Sequence, residues 1–509
     1  MNLLQVVKKA AMQEGKKTFL VCGGQKRTFA GFYDRVLSVG AGLAKLGVKK
    51  GDRVAIMLHN SVEFIEAYFG IISTGASVVP LNVFLKSEET AYILNDCKVK
   101  AFFTSSDFKG VVEGIKPGSV PTLENIISVD GLAGIGHLKY ESLITPDKIG
   151  EIKMSIEDMA VIIYTSGTTG KPKGAMLSHK NLVSNVENCR YPLGIKQEDV
   201  FLVFLPMFHS YSFTANVLLP LYMQCKLVVL KSVQPFTNVI LTLIKHRVSI
   251  FISIPQIYTL LAERKLPGWF FMLHNLKMAV SGGASLPVET LKKFTSKFKI
   301  PLLEGYGLSE ASPICSFNHR DRPAKPGSIG QAIDNVEIKI ADDSGKEVKR
   351  GASGELIVKG DNVMIGYYNN EEATREAIKD GWLYTGDIAS MDGEDYVFIL
   401  DRKKDMIIVN GMNVYPREVE EVLFKRPSVL DAAVIGDLNA EHGEIPIAVV
   451  RLKDNVKGDE HELRKFCREH LANYKVPHRI EFWADLPRNA SGKVLKREIK
   501  RMLSEGKKI

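Results

Sequence analysis

The sequence predicts an α/β protein: a large N-terminal part of βαβ-type sheets with helices, followed by a small α+β part. Three observations carry this. Short apolar runs with strand character alternate with helical patterns through most of the chain, the rhythm of a parallel sheet. At 509 residues the chain is too long for one ordinary core. The last segment shows its own alternation, with helix signals at Pro416–Phe424 and Glu460–Leu471 and strand signals at Leu430–Ile435, Ile445–Leu452 and Arg479–Trp483. It is large enough for a small core.

Taken in order, the N-terminus (Met1-Asn-Leu-Leu-Gln-Val-Val-Lys-Lys) is too short in apolar residues for a signal peptide and reads as an amphipathic helix start. Thr28 caps a helix through Leu46, Asp52–Leu58 is a strand, Ser61–Ser73 a helix, and Ala76–Pro80 a strand. The pattern recurs at Ala101–Thr104, Phe201–Phe204 and Leu227–Leu230. No internal repeat or low-complexity linker interrupts it, so composition draws no domain boundary. The longest stretch without Asp, Glu, Lys or Arg, Phe201–Cys225, contains Pro206, His209, Asn216 and Pro220 and is a poor membrane span.

Six cysteines, without a CxxC pair or a zinc-like His spacing, fit reduced thiols in a cytoplasmic protein with no structural metal. Lys+Arg exceed Asp+Glu by 67 to 58, and residues 471–509 hold ten basic against four acidic residues. Such an end suits a polyanionic ligand or a solvated tail helix. Neither a nucleic-acid partner nor a transmembrane segment is expected.

Several stretches carry chemistry. Tyr164-Thr-Ser-Gly-Thr-Thr-Gly-Lys-Pro-Lys-Gly174 is suited to surround a polyphosphate. Gly167, Gly170 and Gly174 let backbone N–H groups approach an anion; Thr165, Ser166, Thr168 and Thr169 add hydroxyls, and Lys171 and Lys173 add charge. The apolar run Met159–Ile163 reads as a buried strand that delivers this loop to the edge of a sheet. The spacing is not that of a Walker A motif. A solvated Ser/Thr/Gly loop is the alternative. Leu205–Phe213 sets His209 among aromatic residues, where a satisfied core histidine is commoner than a functional one. Ala279–Ala284 ends a strand in small residues, leaving room for a ring or an acyl chain, or simply turning into a helix begun by Leu286-Pro287. In Leu303–Ser312, Tyr306 between Gly305 and Gly307 is exposed enough to stack on a base, and Glu310 is a hard oxygen ligand suited to Mg²⁺. Tyr384-Thr-Gly-Asp387, Asp401–Gly411 and Leu486–Arg497 complete the set.

In this order, over 164–497, these stretches resemble the motifs of the adenylate-forming superfamily of acyl-CoA synthetases, peptide-synthetase adenylation domains and luciferases. The resemblance implies ATP/AMP, Mg²⁺ and coenzyme A as ligands. It implies that the loop through Thr165–Lys173 binds phosphates, that Tyr306 lies against adenine, Ser309 near the α-phosphate and Glu310 on the magnesium, and that Asp387 accepts from ribose and Arg402 contacts ribose or phosphate. It places His209, with Phe208, Tyr211, Gly282, Gly283 and Ala284, beside the acid, and Gly411 on a pantetheine channel. It puts a hinge at Lys404, hence domains 1–403 and 404–509, the second mobile, with Lys493 on a mobile loop reaching the carboxylate and α-phosphate.

Amino-acid-activating members resemble one another in carrying an acidic residue where His209 stands. A buried ammonium group without a counter-charge is costly, so an uncharged acid is expected, in an apolar pocket of Phe204, Phe208, Tyr211, Phe213, Gly282 and Gly283. The wording of Glu304–Pro313 and Arg322–Gly330 looks most like bacterial fatty acyl-CoA ligases, which implies an AMP-forming acid:CoA ligase for a medium- or long-chain fatty acid. An aryl-acid:CoA ligase, an enzyme loading a carrier protein, and an inactive relative serving as a binding module are the alternatives. Intact Glu310, Asp387 and Lys493 speak against the last. The expected partners are a small carboxylic acid and CoA, with a homodimer left open.

Overall fold

The computed structural model describes residues 1–116, 118–131, 137–165, 172–322, 324–439, 441, 443–488 and 492–509. Among these the strands form four sheets. The first two, of nine and eight strands, are mostly parallel, and strands such as Ser77–Pro80 and Ala101–Thr104 are buried at every position. Continuous burial is what helices on both faces of a parallel sheet impose. The helices between them start where the sequence predicts. The Thr28 hydroxyl accepts from the Gly31 amide ahead of Phe29–Lys45, and Ser61 accepts from Phe64 ahead of Val62–Ser73.

The run Met159–Thr165 is a strand, but it lies inside the eight-stranded sheet. It runs parallel to Ser77–Pro80 on one side and antiparallel to Lys173–Ser178 on the other. The stretch 166–171 therefore connects the two strands of a hairpin, leaving from the C-terminal end of Met159–Thr165. The pairing of Thr165 with Lys173 brings the loop's two ends together across the ladder.

A third, antiparallel sheet ends in Trp382–Met391 paired with Val397–Arg402. The next strand, Ile407–Val409, belongs to a fourth sheet with Met412–Val414, Gly443–Leu452, Val429–Asn439 and Arg479–Phe482. That sheet has a separate core, in which Ile407, Val419, Leu423, Val434 and Val450 pack together. The crossing from one sheet to the next falls at residues 403–406. Helix Pro416–Phe424 then leans back on the third sheet, where the Arg417 amide donates to Asp401 Oδ2 (2.8 Å) and its guanidinium to the Ile399 carbonyl (2.8 Å).

All six cysteines are free thiols. Among the described residues, no helix is long and apolar enough to cross a membrane.

Candidate active site

A cleft of about 1760 Å³ opens where the fourth sheet's unit meets the rest of the chain. Three strand ends of the nine-stranded sheet supply its floor: Val200–Val203 leading to His209, Met278–Ser281 leading to Gly282 and Gly283, and Leu302–Gly307 leading to Glu310. Ligands collect at such ends because the loops beyond them are free to vary while the strands hold their origins fixed.

Glu310, on a single turn at Ser309–Ala311, accepts at Oε1 from the Thr165 hydroxyl (3.2 Å) and from Tyr367 (3.0 Å), and its own carbonyl accepts from the Met364 amide (2.8 Å). Lys173 sits over the Tyr367 ring at 5.4 Å. A carboxylate and a hydroxyl thus meet beside the end of the polyphosphate loop, a set of hard oxygen donors that fits Mg²⁺. Ser166, Gly167, Thr168, Thr169, Gly170 and Lys171 lie outside the described residues. Tyr367 carried no motif signal, standing 57 residues from Glu310.

Tyr306 is half-buried and not exposed, and its hydroxyl donates to Asp387 Oδ2 (2.5 Å). Burial and the Asp387 charge both push its phenol up. Gly307 is required by its neighbour, since a Cβ there would stand 1.9 Å from the Pro313 carbonyl oxygen. Asp387 and Arg402 are cross-strand partners, with Arg402 Nε 3.5 Å from Asp387 Oδ1. Ser309 and Ser210 bring their hydroxyls to 2.9 Å.

The acid side departs from expectation. Of Phe204, Phe208, Tyr211 and Phe213, Tyr211 alone lines the cleft. Phe204 stacks on Phe251, Phe208 is 5% exposed against His209, and Phe213 stacks on Tyr68 with ring centroids 4.0 Å apart. The short helix Ser210–Phe213 is the reason: Tyr211 and Phe213 point to different sides of it. Gly282 does not leave open room for a ligand, because a Cβ there would lie 2.9 Å from Tyr211 Cζ. Its missing side chain is what lets Tyr211 lie flat and donate to the Ser253 carbonyl (3.1 Å). Gly283, at φ +80°, is less crowded, since a Cβ there would meet Ile254 and Tyr211 at 3.7 Å, and it lines the cleft with Ala284. Among the described residues His209 Nε2 is buried without a hydrogen-bond partner, and burial pushes the imidazole down to about 4, so it is neutral at physiological pH.

Lys493, from the C-terminal unit, lines the same cleft as Asp387, Arg402 and Lys404. Burial, then Arg402, push its amine down to about 8, with Asp387 opposing. The preceding residue is gripped from both units. The Gly492 carbonyl accepts from Gln256 Nε2 (2.9 Å) across the cleft and from Arg488 Nη1 (2.6 Å) within the loop. Gln256 was not singled out in the sequence and carries no signal there. Gly411, by contrast, does not line this cleft. It is the second residue of the Asn410-Gly411 turn joining Ile407–Val409 to Met412–Val414, both at positive φ, as a two-residue hairpin demands. Lys404 lies in the crossing between the two units, and burial lowers its amine too.

Residues 7–368 match the AMP-binding enzyme family and residues 418–493 the AMP-binding enzyme C-terminal domain. A long-chain-fatty-acid–CoA ligase of Bacillus subtilis is 36% identical over 98% of this chain and 94% of its own. The crystal structure of the anthranilate CoA ligase AuaEII with anthranoyl-AMP superposes with a TM-score of 0.93 at 28% identity, over 99% of this chain and 98% of that one. MatB from Rhodopseudomonas palustris covers the whole of both chains, with a TM-score of 0.91 in its ATP-bound form (29% identity) and 0.81 as the apo protein (28%). With both its sections matched in order, the chain belongs to the AMP-binding enzyme family, the adenylate-forming group that its motifs resemble.

Proposed function

We propose that this protein is an AMP-forming acid:CoA ligase working in two half-reactions. First, a carboxylate oxygen attacks the α-phosphorus of ATP and pyrophosphate leaves. Then the CoA thiol attacks the acyl carbon and AMP leaves. A carboxylate is a poor acyl donor because its leaving group would be oxide, and adenylation turns that oxygen into part of AMP. The observation that carries the reading is the meeting of Lys493 with Asp387, Arg402 and Glu310 in one cleft, from opposite units of the chain.

In this reading Lys493 and Arg402 offset the charge of two anions brought together, as the first step requires. Asp387, released from Tyr306, accepts from the ribose hydroxyls, and the freed Tyr306 ring faces the base. Glu310 and Thr165 would hold Mg²⁺, which when bound neutralises phosphate charge. The loop of Ser166–Lys171 surrounds the phosphates. Neutral His209 offers the acid a hydrogen-bonding nitrogen and no counter-charge, which supports an acid without an ammonium group.

The acid is an aliphatic chain of medium or greater length. Apolar Ala215, Leu219, Val280 and Ile314 on the cleft wall support this, as does the identity with a long-chain-fatty-acid–CoA ligase. An aryl acid is the second reading, favoured by the likeness to the anthranilate ligase and by the flat Tyr211 face. Pyrophosphate release across acids from acetate to decanoate and benzoate, with and without CoA, tests both. Each buried methylene contributes about 0.8 kcal/mol, roughly fourfold in kcat/KM, until the pocket is full. A flat or falling series refutes the aliphatic reading, and turnover without CoA but with a carrier protein refutes CoA as acceptor.

The domains are 1–403 and 404–509, with Lys404 as the hinge. The sheet crossing at 403–406 and the separate core beyond it support this. Gly411 enters the cleft only after rotation about that hinge.

A further inference from the structure

The phosphate end of the cleft is assembled from two different sheets. Thr165 and Lys173 pair in a hairpin of the eight-stranded sheet, whereas Glu310 stands on the turn between Leu302–Gly307 and Ile314–Phe317 of the nine-stranded sheet. Ladder hydrogen bonds fix the spacing of strands within a sheet but not the distance between two sheets. A hydroxyl and a carboxylate that are to share one Mg²⁺ need that distance fixed closely, because this ion demands near-ideal placement of its oxygens.

The segment 361–368 braces the gap. On the side of the nine-stranded sheet, Asn362, which is fully buried, donates through Nδ2 to the carbonyls of Ala311 (3.1 Å) and Ile314 (3.2 Å), and the Met364 amide donates to the Glu310 carbonyl (2.8 Å). On the side of the eight-stranded sheet, the Ile365 amide donates to the Met176 carbonyl (2.9 Å) and the Tyr368 amide to that of Gly174 (2.7 Å). Between these two bonds, Gly366 and Tyr367 pair with Met176 and Ala175 of strand Lys173–Ser178. Asn181 Nδ2 holds the start of the segment by the carbonyls of Asp361 (2.8 Å) and Val363 (2.9 Å).

Tyr367 is where the brace meets the chemistry. Its amide is held by Thr374 Oγ1 (2.8 Å), its ring lies under Lys173, and its hydroxyl donates to Glu310 Oε1 (3.0 Å), the oxygen that also accepts from Thr165 (3.2 Å). Burial and then the Glu310 charge push its phenol up, which keeps it a protonated donor. We propose that Tyr367 is a positioning residue for adenylation: with its backbone on one sheet and its hydroxyl on a carboxylate of the other, it sets the spacing of Glu310 and Thr165 and so the protein's grip on the cation that accompanies ATP. This rests on the reading of Glu310 and Thr165 as the Mg²⁺ site.

Calorimetry of ATP binding to the full chain, without acid, in Mg²⁺ and in EDTA, separates positioning from packing. Tyr367→Phe keeps the ring beside Lys173 and removes only the hydroxyl. ATP affinity in EDTA should be unchanged, which also shows that the variant folds. The gain in affinity on adding Mg²⁺ should shrink about tenfold, the usual cost of losing an outer partner of a metal-binding carboxylate. The Mg²⁺ concentration for half-maximal pyrophosphate release should rise by a like factor. An equal Mg²⁺ gain in both proteins overturns the inference while leaving the metal reading in place. An equal loss of ATP affinity in both buffers also overturns it, and makes Tyr367 a packing residue. If Mg²⁺ strengthens ATP binding to neither protein, the metal reading of Glu310 fails and the inference falls with it.

Discussion

Gly411 and Gly492 both belong to the C-terminal unit and both stand near φ +80°, yet their surroundings are opposite. A Cβ on Gly492 would lie 2.6 Å from Ile254 Cδ1, in the other unit, whereas a Cβ on Gly411 would meet nothing within 4 Å. One glycine is held against the other unit; the other caps a hairpin and does not line the cleft. The contrast teaches that the C-terminal unit carries two candidate working faces, of which one is engaged. If the faces take turns, damage to one should spare the half-reaction served by the other.

The largest effect is expected from removing the engaged charge. Lys493→Ala should slow adenylation on the order of 10²–10³, by analogy with the loss of one oxyanion donor. The same residue sets a pH limit. Its amine is held at about 8, below the ordinary lysine value, so it is charged below that pH and neutral above it. Adenylation kcat/KM for ATP should therefore fall as pH rises through about 8, and this limb should vanish in Lys493→Arg, which stays charged.

Next in size, Gly492→Ala puts a methyl group into the Ile254 contact and an L-residue into the left-handed region. That costs about 1–2 kcal/mol, roughly five- to thirtyfold in adenylation rate, with thioester formation from supplied acyl-AMP spared.

A smaller and more diagnostic effect comes from Gln256→Glu. The side chain keeps its shape but, as a carboxylate, cannot donate to the Gly492 carbonyl. Adenylation should fall about tenfold at neutral pH, the worth of one hydrogen bond left unmade. Mild acid should restore part of it, because the protonated carboxyl can donate again. A loss that acid does not touch would make Gln256 a packing residue and weaken the comparison.

How far the sequence reveals this depends on whether a signal is local. In the C-terminal unit, helices Pro416–Phe424 and Glu460–His470 and strands Gly443–Leu452 and Arg479–Phe482 are legible nearly to their ends, because Pro416 opens a helix and Ile447 and Val449 carry strong strand character. Thr28 and Ser61 are legible as caps for the same reason. Strand Val429–Asn439, by contrast, runs four residues past the expected Ile435, and Ile407–Val409, Met412–Val414 and Lys496–Ser504 are not separately legible. The hairpin closing the polyphosphate loop is not, since Lys173–Ser178 reads as the loop's tail until its partner strand is known. The order of strands in the sheets is likewise set by distant pairings. Within the site, Lys493, Asp387 and Glu310 stand in motifs. Tyr367 and Gln256 act through partners 57 and 236 residues away and leave no local trace. The direction of Phe208 and Phe213 fails for a related cause: aromatic neighbours of a histidine look alike until a helix decides which face meets the cleft. Gly411 shows the converse, because the Asn-Gly turn already accounts for a glycine there, whatever its further role.

The most direct test of the two-face account is single-turnover measurement of both half-reactions, side by side, in Lys493→Ala and Gly411→Leu. The account predicts opposite lesions. Lys493→Ala loses adenylation but converts supplied acyl-AMP to thioester at the normal rate. Gly411→Leu releases pyrophosphate normally but transfers poorly to CoA. Equal slowing of both halves by Lys493→Ala, or no effect of Gly411→Leu on either half, would contradict it.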